Sequence, residues 1–257
     1  MTGGAGPRTS KTGRDLNEAE RAPPRPLAVF IVFSLIGIAV FTALGVWQIE
    51  RRTWKLALID RVDHRAHAQP VAAPGPNAWP KINRVDDEYK VVSVTGRFAN
   101  DRETLVEATT EQGMGYWVMT PLESGDGFVV LVNRGFVPTD RRDPATRKAG
   151  QIEGETSVTG LLRMTEPKGT FLRANKPAVD RWYSRDVAAI AKVRGLANVA
   201  PYFIDAGSAS NSGGLPIGGL TVISFYNHHL LYAVTWFALA LMLAFALARV
   251  IRGHFTN

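Results

Sequence analysis

Two long runs of apolar residues without any charge, one near each end of the chain, dominate its hydrophobic pattern. They cover residues 27–48 and 230–248, and Arg249 follows the second run. As a helix, each run is long enough to cross a hydrocarbon core of about 30 Å. Core helices of soluble proteins are rarely apolar on every side over this length. We therefore predict transmembrane helices at 27–48 and 229–249, with helical spacing continuing after the first span at 54–67.

A cleaved signal peptide is the alternative explanation of the first run. Its apolar stretch exceeds the roughly 7–15 residues usual in signal peptides, which also end in a small-x-small cleavage site. Here Trp47, Gln48, Arg51 and Arg52 follow instead of such a site. We therefore expect an anchor that stays attached to the protein.

The region between the spans alternates between apolar and polar residues, which predicts strands. An SGDG sequence at 124–127 predicts a hairpin turn, and four prolines at 69–80 predict a linker. Ser184 is a candidate N-cap for a short helix that follows it. The predicted strands are 89–98, 103–108, 116–122, 128–137, 156–164, 202–205 and 220–224. The pattern predicts one mixed, mainly antiparallel β domain at 49–226, of the α+β or small open barrel type.

The charge of the chain lies mostly outside this domain. The net charge is +7, yet residues 66–226 hold 18 Lys and Arg against 17 Asp and Glu. A nucleic-acid-binding domain would concentrate basic residues on its fold, whereas bases beside apolar spans are attracted to lipid head groups. We expect a lipid bilayer and no nucleic acid as partner. Seven basic residues in the tails against five beside the domain favour a disordered cytoplasmic tail at 1–26, a short cytoplasmic tail at 250–257 and a domain outside the cytoplasm.

Enzymatic signatures for nucleotide, serine-hydrolase or zinc-protease chemistry are missing, and the chain has no cysteine. We therefore predict a protein that is not an enzyme. Asp60, Asp63, His64 and His67 have the spacing of one helix face and offer a possible metal site. A solvated surface face explains these four residues better.

The triplet Asn133, Arg134 and Gly135 ends a very apolar predicted strand. One interpretation places Arg134 at the edge of a binding site. The favoured interpretation is structural: Gly135 permits a bulge or a close backbone approach, and Arg134 pairs with a carboxylate.

The mouth of the second span carries two adjacent histidines, His228 and His229, followed by Tyr232 and Trp236. Imidazole is a common axial ligand of haem iron, which makes His229 a candidate haem ligand. Histidine and aromatic residues also favour the membrane interface, and residue types alone favour this simpler explanation.

A hairpin of two spans brings the end of the first helix to the level of His229. Trp47, Gln48 and Arg51 then complete the candidate site, since an arginine binds a carboxylate such as a haem propionate through two hydrogen bonds.

Four motifs, in order along residues 30–250, resemble the surfeit-locus family of cytochrome c oxidase assembly factors, in a bacterial-type form. The first surrounds Gly45, Trp47, Gln48, Arg51 and Trp54, and the last covers residues 227–237. The other two are residues 132–138 and a group formed by Gly160, Arg163, Glu166, Asn175 and Trp182.

The resemblance implies an inner-membrane assembly factor with a periplasmic domain, which binds haem a and aids its insertion into terminal oxidase subunit I. It implies His229 as the family histidine, while His228 replaces a common asparagine and leaves the exact ligand open. Phe136 stands where the family often has tryptophan. A haem a synthesis enzyme is a further possible partner. The alternative is a membrane scaffold for oxidase subunits that does not bind haem.

Overall fold

The computed structural model describes residues 25–170, 172–209, 211–221, 223 and 227–255. The helices are α1 (Arg25–Ala66), α2 (Arg84–Asp87), α3 (Val187–Val193) and α4 (His229–Phe255). The strands are β1 (Val71–Ala72), β2 (Val91–Phe98), β3 (Thr104–Thr110), β4 (Gly113–Ser124), β5 (Val129–Pro138), β6 (Glu155–Met164), β7 (Gly169–Thr170), β8 (Arg173–Ala174) and β9 (Val199–Ala206).

Both apolar runs form long helices, as predicted. Helix α1 is continuous over 42 residues, so it includes both the predicted span and the predicted helical continuation. Helix α4 has 27 residues and extends past Arg249 to Phe255. Each is long and apolar enough to cross a membrane. The predicted disordered tail, up to position 24, lies outside the described residues.

The chain divides into two compact units. One contains the chain up to Lys55 together with the residues from Asn227 onwards, and the other is Leu56–Tyr226. The first therefore consists of the apolar part of α1 and of α4. The second is the β domain, so the two long apolar helices flank a mixed β domain, as expected.

Five strands of the β domain close into a barrel-like sheet in the order β2-β6-β9-β5-β4, with β4 pairing back onto β2. Strands β5 and β9 are parallel and the other four pairs are antiparallel. Closure occurs at Gly96, where a Cβ atom would lie 2.2 Å from the carbonyl oxygen of Glu123. The sequence therefore needs glycine at this position for β2 to reach β4.

Strand β5 is buried on both faces, which explains why its sequence is almost continuously apolar. Val130 and Val132 pack with Tyr202 in one core cluster. Leu131, between them, packs in a second cluster with Ile190 of α3. The side chains alternate because successive residues of a strand point to opposite faces.

Three local predictions change in the structure. Asp186 rather than Ser184 caps α3, because the Ser184 hydroxyl donates to the Glu166 carbonyl oxygen at 2.7 Å. The predicted linker 69–80 contains the short strand β1, which pairs with β2. The predicted strand 220–224 is neither helix nor strand at 220, 221 and 223, and its other positions lie outside the described residues.

Candidate functional site at the end of the helix pair

Buried residues, most of them small, recur along the contact between the apolar part of α1 and α4. Ala233, Ala240 and Leu247 recur at intervals of seven residues on α4 and are each at most 7% exposed. Ser34, Gly45 and Gln48 are the buried positions of α1 in this unit. Helices in membranes associate through such stripes because small residues let the backbones approach closely.

Two glycines of α1 set how closely the helices approach. A Cβ atom at Gly45 would lie 2.7 Å from the ring of Phe237, and one at Gly37 would lie 2.7 Å from Cδ2 of Leu243. Between them the rings of Phe41 and Trp236 stack with their centroids 5.7 Å apart. Any side chain larger than hydrogen at these glycines must therefore displace a neighbour.

This packing places Gln48 opposite His229 at the start of α4. Nδ1 of His229 lies 2.7 Å from the side-chain oxygen of Gln48. An amide oxygen only accepts hydrogen bonds, so with this oxygen facing the ring Nδ1 is the donor of the contact. In a neutral imidazole whose Nδ1 donates, the lone pair lies on Nε2. His229 is partly buried, and Gln48 is 9% exposed.

The other predicted site residues differ in their exposure and in the side chains that they contact. Trp47 and Tyr232 are 52% and 54% exposed, and His228 is exposed as well. The Arg51 guanidinium lies over the ring of Trp54, 4.3 Å from its centroid. Trp236 contacts Phe41 in the helix contact.

Phe41 and Asn227 belong to the surroundings of the site, although neither is among the predicted site residues. Phe41 stands seven residues before Gln48, a spacing that puts both on one helix face and was visible in the sequence. Asn227 has a buried side-chain oxygen without a hydrogen-bond partner in the described part of the chain. Leaving a buried acceptor without a hydrogen bond costs free energy, so this oxygen is suited to accept one from a bound group. Asn227 is two residues before His229, which places it next to the candidate site.

The sequence matches the model of the SURF1 family over residues 35–241. The chain belongs to the SURF1 family. It is 37% identical to Surfeit locus protein 1 of Homo sapiens over 228 residues, and this alignment covers 81% of this chain and 73% of that protein. It is also 37% identical to Surfeit locus protein 1 of Mus musculus, over 80% of this chain and 71% of that protein. The SURF1-like protein of Drosophila melanogaster is 32% identical over 86% of this chain and 76% of that protein.

Motif residues of this SURF1-family chain also meet inside the β domain, around Asp205. Asp205 is 2% exposed and accepts hydrogen bonds from Asn133 and Arg163, both at 2.8 Å. Arg185 and Thr221 donate to it at 3.2 Å and 3.0 Å. Asp205 is not among the predicted site residues, because an isolated aspartate in a strand gives no local signal of its partners. The arrangement satisfies a buried carboxylate with several donors.

Glu166 joins the same network through Arg185, whose guanidinium donates to its carboxylate. Burial by itself raises the pKa of Glu166. The hydrogen bonds and the charge of Arg185 outweigh burial, so the pKa of Glu166 lies below its ordinary value. The remaining motif residues have structural roles: Asn175 accepts from the backbone N–H of Tyr183 at 2.8 Å, and Trp182 is 1% exposed in the core.

The close backbone approach expected at Gly135 is confirmed, whereas the expected carboxylate partner of Arg134 is wrong. Gly135 has φ +126°, and a Cβ atom there would lie 2.1 Å from the carbonyl oxygen of Ile217. Arg134 donates to neutral oxygens of Asn100, Gly150 and Asn211. The carboxylate partner was expected from residue type alone, and only the fold decides which groups surround the guanidinium.

The helix face considered as a metal site is solvated. His64 lies 3.5 Å from Asp60 and His67 lies 3.4 Å from Asp63, with all four side chains at least 69% exposed. Among the described residues, no group of three or more histidine or acidic side chains has an arrangement suited to a metal ion. The simpler explanation of a charged surface face accounts for these residues.

Proposed function

We propose that this protein is an assembly factor for haem-copper terminal oxidase, cytochrome c oxidase, and that it holds haem a and aids its insertion into subunit I. Membership of the SURF1 family supports the role in oxidase assembly. The observation that carries the haem part is the 2.7 Å contact between Nδ1 of His229 and Gln48. Haem a is cargo in this proposal and the protein is not its catalyst.

The donor set at the end of the helix pair fits a haem. A histidine that ligates a metal almost always donates its other ring N–H to an oxygen, which fixes the orientation of the imidazole and raises its basicity. Nδ1 of His229 makes such a contact with the side-chain oxygen of Gln48. His229 would then hold haem iron through Nε2, and the iron would supply a Lewis acid for the lone pair of that nitrogen.

Three exposed side chains provide further groups of the type that a porphyrin contacts. Trp47 and Tyr232 offer partly exposed aromatic rings. Arg51 is an exposed cation, suited to two hydrogen bonds with a propionate. The proposed site is therefore an imidazole ligand with aromatic surface and one arginine beside it.

We further propose a multi-pass protein of the cell inner membrane with cytoplasmic termini and a periplasmic domain. The two apolar helices support a membrane location, and the basic residues of the tails support this orientation. The proposed partners are oxidase subunit I, the haem a synthesis enzyme and the lipid bilayer. Delivery at the outer surface then takes place where the helix pair ends.

Substitution of His229 by alanine tests the haem part. The protein is purified from cells that make haem a, and the Soret absorbance per protein is compared with wild type. We expect His229→Ala to reduce co-purifying haem at least tenfold while the protein stays in the membrane fraction, because an axial ligand is lost. His228→Ala is the matched control and should retain the haem.

Two other results would redirect the proposal. Loss of the Soret band in His228→Ala alone would move the ligand by one residue. Absence of haem from wild-type protein in cells making haem a would leave the membrane scaffold as the function, with both helices and the sheet as contact surfaces for oxidase subunits.

A further inference from the structure

Arg134 is a buried cation, and its hydrogen-bond partners among the described residues are all neutral. It lies in the middle of β5, and the residue is 2% exposed. Nη1 lies 3.5 Å from the side-chain oxygen of Asn100, and Nη2 donates to the Gly150 carbonyl oxygen and lies 3.4 Å from the side-chain oxygen of Asn211. The two amide contacts are longer than the usual 2.7–3.2 Å, so these donors are held weakly.

The carboxylate of Glu103, which lies near Arg134, is already paired with another arginine. Both Nη atoms of Arg147 donate to Glu103, and Gln151 donates to the same carboxylate. Arg134, Arg147 and Glu103 together therefore carry one excess positive charge. A buried charge without a counter-charge is costly, which favours an anion beside it.

The charge persists at neutral pH. Burial lowers the pKa of Arg134 to about 10, the charge of Glu103 acts in the opposite direction, and the charge of Arg147 lowers it further. A guanidinium with this pKa stays protonated at pH 7.

A cavity of about 220 Å³ in the β domain includes Arg134 in its wall. Phe98, Val132 and Ile152 supply apolar surface, and Thr156, Ser157, Thr159 and Asn211 are neutral polar residues of the lining. No acidic side chain of the described residues lines the cavity. The space therefore combines one buried cation with a wall of apolar and neutral polar residues.

We propose that this cavity binds the carboxylate group of a small organic acid, with Arg134 as its bidentate partner. The planar guanidinium matches a carboxylate through two parallel N–H···O bonds. The single cation and the apolar part of the wall favour a monocarboxylate with a short hydrocarbon part over phosphate, which carries more charge. The site lies within the β domain and does not depend on haem binding.

Butyrate is the probe, titrated against the full-length protein in detergent at constant ionic strength, with chloride replaced as butyrate is added. A ligand that binds only the folded state raises the Tm by mass action. We expect butyrate to raise the Tm by a few degrees, with a rise that follows the logarithm of its concentration above Kd, and phosphate to need at least a tenfold higher concentration for the same rise. A rise that stays proportional to butyrate concentration over the whole range, as a general solvent effect gives, would overturn the site, and tighter binding of phosphate would overturn its carboxylate chemistry.

Two variants locate the binding, each with a matched control. Arg134→Lys keeps the positive charge but loses the planar pair of N–H donors. We therefore expect affinity for butyrate to fall at least tenfold, while Arg141→Lys, at an exposed arginine, leaves the affinity unchanged.

Ala209→Phe adds a large side chain to the cavity wall while Arg134 is retained, and it should abolish binding of butyrate. The control Ala188→Phe, on the exposed surface of α3, should leave binding unchanged. If Arg134→Lys does not fold, Ala209→Phe decides. Wild-type affinity in Ala209→Phe would place butyrate elsewhere and overturn the proposal.

Discussion

The side-chain oxygen of Gln48 lies 2.7 Å from Nδ1 of His229. Because an amide oxygen only accepts, this contact favours the tautomer in which Nδ1 donates and Nε2 keeps its lone pair. His228, the neighbouring imidazole, is exposed. The structure therefore gives the two adjacent histidines different surroundings, a difference that their residue type does not contain.

Gln48→Leu should lower co-purifying haem by about 10–100-fold, because loss of an outer-shell hydrogen bond to a histidine ligand costs this much affinity. Gln48→Glu should retain most of the haem, since its carboxylate also accepts the Nδ1 proton. Soret absorbance per protein measures both. Gln112→Leu, at an exposed glutamine of the β domain, is the control. Full haem retention in Gln48→Leu would show that the hydrogen bond does not support the ligand.

At the level of elements, the predictable part was the existence of the two long helices and of the main strands, whereas the short strand β1 was missed and the strand predicted at 220–224 is absent at its described positions. Absence of charge identified α1 and α4, and alternation identified the main strands, because both signals come from neighbouring residues. The cap of α3 was misassigned, since Ser184 and Asp186 are both good capping residues. The choice between these two caps depended on Glu166, which precedes α3 by about 20 residues. Its carbonyl oxygen accepts the hydrogen bond of the Ser184 hydroxyl, which leaves Asp186 as the cap.

Gly45→Ala should destabilise the helix pair by about 1–3 kcal/mol, the usual cost of an extra methyl group in a packed contact. The added Cβ atom would meet the Phe237 ring at 2.7 Å. Because the chain has no cysteine, dyes on cysteines introduced at Val29 and Val250, both exposed, can report helix separation by energy transfer during an SDS titration.

The matched control is Gly253→Ala, where nothing lies within 4 Å of the new atom. It should leave the SDS midpoint unchanged or raise it slightly, as alanine favours helix over glycine. Phe237→Leu combined with Gly45→Ala should recover part of the loss if the two residues are coupled. An unchanged midpoint in Gly45→Ala would contradict the observed helix contact.

At the scale of the whole molecule, ion pairs between distant segments make the stability of the β domain depend on pH. Glu166 and Asp205 both bind Arg185, and Asp205 also binds Arg163 on β6. The pKa of Glu166 is lowered in the folded state, so its pairing stabilises the fold above its unfolded pKa of about 4.3. This contribution disappears as the pH falls through the lower, folded pKa.

Glu166→Gln should therefore lower the free energy of unfolding at pH 7 and flatten its decrease below about pH 5, where the wild-type contribution is progressively lost. Urea unfolding of the full-length protein in detergent, followed by tryptophan fluorescence at several pH values, measures both effects. Glu153→Gln, at an exposed glutamate, should follow the wild-type curve. Parallel curves for Glu166→Gln and wild type would exclude this pair as a source of acid sensitivity.

The sequence by itself determined the two apolar helices, the β-rich domain between them and the family, because these depend on local periodicity and on motifs in a fixed order. Only the tertiary structure decided the partners: Gln48 and His229 are 181 positions apart, and Asn133 and Asp205 are 72 apart. Such pairs depend on helix packing and strand register, which no local pattern contains. Arg134 shows the difference most clearly, since its residue type predicted a carboxylate and the fold surrounds it with neutral oxygens beside a cavity.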